Sequence, residues 1–223
     1  MNATIQYIEE ELKGFYPAGE VKSITRLIFK HVCQRDYYMI RLDRDYRPDN
    51  CVKKNIYEIV RRLKTNEPIQ YILGETEFYD LPIIVKPGVL IPRPETEELV
   101  QWIIESVNIS SPSILDIGTG SGCIALSLKK MISDAQVSAF DHSELALNIA
   151  RQNSKNNNLD VKFLHADIFN WESAIWDIYD VIVSNPPYVL EKEKREMSDN
   201  VLKFEPEDAL FVRNDEPLLF YFA

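Results

Sequence analysis

No apolar stretch in this 223-residue chain reaches the roughly 18 residues that a membrane-crossing helix needs. The first residues, Met1 to Glu11, lack a basic region followed by an apolar one, so no secretory signal is expected and the chain reads as cytoplasmic. Cysteine is scarce. Cys33, Cys51 and Cys123 are odd in number and lack metal-ligand spacing, which points to reduced thiols and no metal site. The three histidines, His31, His142 and His165, form no pattern with them, and none of these six residues is assigned a catalytic role. Positive charge is also short, with 25 Lys and Arg against 35 Asp and Glu. Residues 1–80 carry 13 of each sign, whereas residues 81–223 carry 12 positive and 22 negative. An acidic region of that kind is a poor match to a duplex whose binding depends on neutralising phosphates, so stable nucleic-acid binding is not expected. The nearest approach to a basic cluster, Lys192, Lys194 and Arg195, alternates with Glu191, Glu193 and Glu196 and reads as a solvated helix face.

What is present divides the chain. A hydrophobic content of 45% supports buried cores. From Ala3 to about Leu73 the apolar residues keep helical spacing: Ile5, Ile8, Leu12 and Phe15; Val21, Ile24, Leu27, Ile28 and Val32; Val52, Ile56, Ile59, Val60 and Leu63. Pro17 and Gly19 separate the first two helices, and Arg47-Pro48-Asp49-Asn50 precedes the long third one. Such short helices need one another, which predicts a small all-α bundle over residues 1–73. Tyr37, Tyr38 and Tyr57 read as core or rim packing. Residues 74–92 alternate turn residues with the β-like runs Thr76–Tyr79 and Ile83–Val85, predicting a β-hairpin linker.

Residues 93–223 read as an α/β domain. Ile114 to Ile117 is an apolar strand, followed by a glycine-rich turn and then helical spacing from Cys123. Gly118, Gly120 and Gly122 admit a close ligand. The turn lacks the Lys-Ser/Thr of a phosphate-cradling loop, and Cys123 stands where the dinucleotide fingerprint has its last glycine. A second strand ends at Asp141, about 20 residues past the glycine turn, where a carboxylate suits ribose hydroxyls. A third, Val161 to His165, leads to Asp167, which can accept from an adenine amino group. A fourth, Tyr179 to Ser184, runs into Asn185-Pro186-Pro187-Tyr188. Two prolines end the strand and leave a rigid extended segment. There the Asn185 side-chain oxygen and the Pro186 carbonyl make two acceptors suited to one NH2 group, with Tyr188 offering a flat face.

Taken together, Asp116, the three glycines, Asp141, Asp167 and Asn-Pro-Pro-Tyr resemble the class I S-adenosylmethionine-dependent methyltransferases, a Rossmann-like fold. Leu90-Ile91-Pro92-Arg93-Pro94-Glu95-Thr96-Glu97, with Glu67-Pro68-Ile69-Gln70-Tyr71 and Phe78-Tyr79, narrows the resemblance to the HemK/PrmC family. That resemblance covers the chain from about residue 67 onward. It implies methyl transfer from S-adenosylmethionine to the side-chain amide of the glutamine in the Gly-Gly-Gln motif of class-1 peptide chain release factors. It implies cofactor contacts at Asp116, Gly118, Thr119, Gly120, Ser121, Gly122, Asp141, Asp167, Ile168 and Asn185, and catalytic roles for Asn185, Pro186, Pro187 and Tyr188. Residues 1–73 would then recognise the protein substrate. The plainer reading of Arg93 to Glu98 is a proline-stiffened helix entry with Thr96 as its cap.

Two departures stand out. Ile168, followed by Phe169, occupies a position where many members of the family have an aromatic beside the adenine. The resemblance also implies seven strands, three of them after Asn-Pro-Pro-Tyr, so the sheet reads as incomplete and the chain as C-terminally truncated, with Leu218 to Ala223 beginning a helix. Two alternatives stay open: an adenine-specific nucleic-acid methyltransferase, which shares Asn-Pro-Pro-Tyr, and a truncated form that binds cofactor without efficient turnover.

Overall fold

The computed structural model describes residues 3–34, 37–43, 46–173 and 176–222. The chain forms two compact units, Met1–Leu73 and Gly74–Ala223.

In the first unit the helical spacing becomes, among the described residues, five helices: α1 (Ala3–Leu12), α2 (Ala18–Cys33), α3 (Tyr37–Leu42), α4 (Asn50–Leu63) and α5 (Ile69–Leu73). Ile5, Ile8 and Leu12 of α1, Ile28 and Phe29 of α2 and Ile56 and Leu63 of α4 form one buried cluster. The α4 helix starts where Asp49 accepts from the Val52 N–H at 2.8 Å, satisfying an otherwise orphaned donor. Two apolar residues leave the predicted stripe. Gly14 takes φ +90° just after α1 ends, and Phe15 lies beyond it, 48% exposed, beneath the Lys64 ammonium. Leu27 turns outward on α2. Tyr37 is buried, while Tyr38 and Tyr57 pack at the rim, edge-on to Tyr37 and Tyr7.

The second unit opens with an antiparallel hairpin, β1 (Glu75–Phe78) and β2 (Leu81–Ile84). Its two-residue turn places both Tyr79 and Asp80 at positive φ, as a type I′ turn requires. Then follow α6 (Pro94–Ser106), β3 (Ser113–Ile117), α7 (Cys123–Met131), β4 (Gln136–Asp141), α8 (Glu144–Asn157), β5 (Lys162–His165) and β6 (Val181–Ser184). The four strands β3 to β6 form a parallel sheet in the order β5-β4-β3-β6. Every parallel step needs a crossover, and α7 and α8 supply the first two. The α7 helix is buried along Cys123 to Leu128, as the apolar run after the glycine turn suggests.

The chain reverses its direction of winding between β3 and β6, and the carboxyl ends of strands flanking such a switch are where ligands sit in this architecture. Beyond β6 come β7 (Val189–Leu190), a 3-10 turn at Glu191–Glu196, α9 (Asp199–Phe204) and β8 (Phe211–Val212), with β7 and β8 paired in their own small sheet. The charged run is a mostly exposed 3-10 turn where an exposed helix face was expected, and Lys194 is engaged by Glu207 at 2.9 Å and by the ring of Phe211. Leu219–Tyr221 forms one 3-10 turn rather than the start of an α-helix, and Ala223 lies outside the described residues. No helix among the described residues is long and apolar enough to cross a membrane.

Candidate active site

The glycine turn is shaped by the two strands beside it. The N–H groups of Gly118 and Thr119 both donate to the Phe140 carbonyl, at 2.9 and 3.0 Å, folding the turn over the end of β4. Gly118, Gly120 and Gly122 all take positive φ, a region closed to most side chains. At Gly122 a Cβ would also stand 3.1 Å from the Cβ of Ala150 on α8, so close packing of turn and helix demands glycine there.

Asp116, at the end of β3, is fully buried. Its Oδ2 accepts from the Thr119 hydroxyl at 2.6 Å, while Oδ1 is buried without a hydrogen-bond partner. Burial pushes its carboxyl up to about 7, against the pull of the Thr119 hydroxyl and of the Ala125 N–H in the first turn of α7. Cys123 next to the turn is pushed up to about 12, chiefly by burial, and is inert as a nucleophile at neutral pH.

Asp141 is a structural hub as well as a candidate acceptor. Its Oδ2 takes the Gly120 N–H and its Oδ1 the Ser143 N–H, both at 2.8 Å. Each oxygen keeps a lone pair for a further donor. Ser143 caps α8 through the Ala146 N–H. Asn153 on α8, fully buried, accepts from the Ile84 N–H and donates to the carbonyls of Ile84 and Ser121, joining the hairpin to the glycine turn. Asp167 is exposed and caps its own turn, accepting from the Phe169 N–H at 3.0 Å and from Asn170 at 3.1 Å.

At the end of β6, Ser184 donates to the Ile117 carbonyl at 2.9 Å, tying the two central strand ends together. Asn185 Nδ2 donates to Thr96 Oγ1 at 3.3 Å. Thr96 is therefore not the cap of α6: that helix starts at Pro94 after Arg93, with no side-chain cap, and Thr96 lies inside its first turn.

A cleft of about 350 Å³ runs across these strand ends. Of the residues singled out from sequence, Gly118, Gly120, Asp141, Asp167, Ile168, Asn185, Pro186 and Pro187 line it. Asp116, Thr119, Ser121 and Gly122 stand behind the lining, and Tyr188 lies outside it, 62% exposed. Sequence reasoning missed one wall altogether: Gly88, Val89 and Leu90 after the hairpin, and Pro206, Asp208 and Ala209 after α9. In the structure Gly88 takes φ +105°, and a Cβ there would stand 2.4 Å from Leu145 Cδ2. His142 also lines the cleft, its Nε2 3.2 Å from Asp208. Phe220 also lines the cleft, and its ring pairs with that of Phe169 at 5.2 Å.

Comparison with known proteins agrees with this geometry. A methyltransferase small domain is matched over residues 95–204 and a PrmC N-terminal domain over residues 4–74. The release factor glutamine methyltransferase of Bacteroides thetaiotaomicron is 48% identical over 221 residues, spanning 99% of this chain and 79% of that protein. The protein of the same description from Flavobacterium psychrophilum is 44% identical over 224 residues, spanning 99% and 78%. Among solved structures, the hMettl16 catalytic domain in complex with MAT2A 3′UTR hairpin 6 aligns with a TM-score of 0.50 at 17% identity, over 78% of this chain and 61% of that one. That last likeness concerns the fold alone.

Proposed function

The chain belongs to the release factor glutamine methyltransferases, and from that membership we propose that it methylates the side-chain amide nitrogen of the Gly-Gly-Gln glutamine in class-1 peptide chain release factors. The observation that carries the proposal is the cleft itself. It brings the glycine turn and Asp141 to one end and Asn185-Pro186-Pro187 to the other, over adjoining strand ends.

The residues present fit S-adenosylmethionine. The glycine turn admits close approach of the cofactor, the spare lone pairs of Asp141 would accept from its hydroxyls, and Ile168 with Phe220 would provide an apolar wall for a flat base. When bound, S-adenosylmethionine supplies an electrophilic methyl group. The protein's task is to prepare the nucleophile. A carboxamide nitrogen shares its lone pair with the carbonyl and is nearly planar. Asn185 Oδ1 and the Pro186 carbonyl, each accepting one N–H, hold that nitrogen so that its lone pair points along the line of transfer. Orientation of this kind is worth roughly 7–11 kcal/mol of barrier in favourable cases. The methylated nitrogen is strongly acidic and gives its proton to any nearby acceptor, so no dedicated base is needed. Tyr188, outside the cleft, serves as a face for the incoming loop. Residues 1–73 carry no catalytic constellation, and their role in this reading is to select the protein substrate.

The test is incubation with methyl-labelled S-adenosylmethionine and either a class-1 release factor or unmethylated DNA. Label on the Gly-Gly-Gln glutamine, located by mass spectrometry, is the expected result. Label on DNA adenine with none on the release factor would overturn the reading.

A further inference from the structure

Asn185 is the residue on which the proposed chemistry turns, and its amide has two ends. One donates and one accepts, and a half-turn about the last side-chain bond exchanges them. Only the acceptor end can receive an N–H from a substrate amide. The flipped form would set donor against donor.

The structure sets a neighbour against one of these ends. Asn185 Nδ2 donates to Thr96 Oγ1 at 3.3 Å, and in that arrangement Oδ1 is the end presented elsewhere, on a residue that lines the cleft. Thr96 is itself 8% exposed and stands on an anchored turn. Its backbone N–H donates to the Arg93 carbonyl at 3.0 Å. Arg93 pairs with Glu205 at 2.6 Å, and the other oxygen of Glu205 accepts from the Ile91 N–H at 3.0 Å, with the Glu205 side chain only 1% exposed. On the far side, Glu97 accepts from the Tyr79 N–H at 2.9 Å. The first turn of α6 is thus fixed from two directions, whereas Asn185 hangs from β6, whose Ile182 is 63% exposed.

We propose that Thr96 is a positioning residue for methyl transfer, its hydroxyl anchoring the Asn185 side chain at the place from which Oδ1 can meet the substrate nitrogen. The inference rests on the reading of Asn185 as the acceptor for that nitrogen. It also gives the Thr of the Pro-Arg-Pro-Glu-Thr segment a task other than starting a helix.

Thr96→Val removes the hydroxyl while keeping the shape, and Thr96→Ser restores it. With release factor as substrate, kcat of Thr96→Val should fall on the order of tenfold or more, as small misplacements of reacting groups do. KM for release factor and the affinity for S-adenosylmethionine should stay within about threefold, and Thr96→Ser should recover most of kcat. Unchanged kcat in Thr96→Val, equal losses in both variants, or a loss confined to KM would overturn the proposal. A second readout is independent of which substrate is methylated. The Asn185 side-chain NH2 signals, identified by their disappearance in Asn185→Ala, should move and lose exchange protection in Thr96→Val and return in Thr96→Ser. Signals unaltered by Thr96→Val would overturn the inference even if release factor is methylated. Signals that respond as expected in a protein that methylates only DNA would uphold it while removing the release-factor reading.

Discussion

The ends of β3 and β6 lie side by side, Ile117 in register with Ser184, yet the loops that leave them are held in different ways. The glycine turn after β3 is bonded from behind by the Phe140 carbonyl, from below by Asp141 and from the side by Asn153. Its acidic residue, Asp116, is sealed from water. The Asn-Pro-Pro-Tyr loop leaves a strand with neighbours on one side only among the described residues, and it ends in an exposed tyrosine. Its key side chain has one long bond, to Thr96. A small cofactor of constant shape is served by a prebuilt pocket. A protein loop that must enter and leave is served by a rigid dipeptide on a more open edge. The comparison therefore predicts that damage at the two ends separates into binding and turnover.

The sharpest break comes from the pair Asn185→Ala and Asp141→Ala. Removing one preorganised partner of the reacting group costs on the order of 10²–10³ in rate, so Asn185→Ala should lose that much kcat while its affinity for S-adenosylmethionine changes by less than about threefold. Asp141→Ala should do the reverse. Losing charge-assisted bonds worth about 1.5–3 kcal/mol each weakens cofactor affinity roughly 10–100-fold. Calorimetry and single-turnover rates on both variants check the separation, and an Asn185→Ala protein that turned over at the parent rate would erase it.

A smaller effect follows from Asp116. Its carboxyl is raised to about 7 from an ordinary value near 3.8. In the cofactor-free protein, the stability this group contributes is fully present below about pH 4 and is lost as pH rises through about 7. Unfolding midpoints in denaturant should therefore fall between about pH 4 and pH 7 by more than in Asp116→Asn, whose amide cannot ionise. Equal pH dependence in the two proteins would show that this carboxyl does not titrate in that range.

Much of this site was legible in the chain because its parts are local. A strand followed by closely spaced glycines, carboxylates at strand ends and a proline pair after an apolar run each announce themselves within a few residues. The wall formed by Pro206, Asp208 and Ala209 did not, because nothing local marks a segment after α9 as reaching a cleft built from β3 to β6. Thr96 shows the same limit. Ahead of a glutamate-rich turn, its neighbourhood reads as a helix cap. Its bond to a residue 89 positions away is set by tertiary packing. Phe15 and Leu27 obey helical spacing and are nonetheless exposed, since periodicity says which face a residue shares but not where the helix stops or how wide its partner is. The four strands shifted by only one or two residues from their sequence-based bounds, within the usual ambiguity of element ends.

The smallest effect tests the open edge itself, without touching activity. In a parallel sheet, a central strand gives its N–H groups alternately to neighbours on both sides, whereas an edge strand leaves alternate groups to water. β3 is central, between β4 and β6, and β6 pairs through Val181 to Ser184 with β3 alone among the described residues. Residue-resolved hydrogen exchange should show the amides of Ile114 to Ile117 uniformly protected. Those of Val181 to Ser184 should alternate, the outward-facing ones exchanging about tenfold faster or more. Uniform protection of both strands would show that the outer edge of β6 is covered in solution. It would also remove the mechanical contrast drawn between the two loops, leaving Asn185 as firmly founded as Asp116.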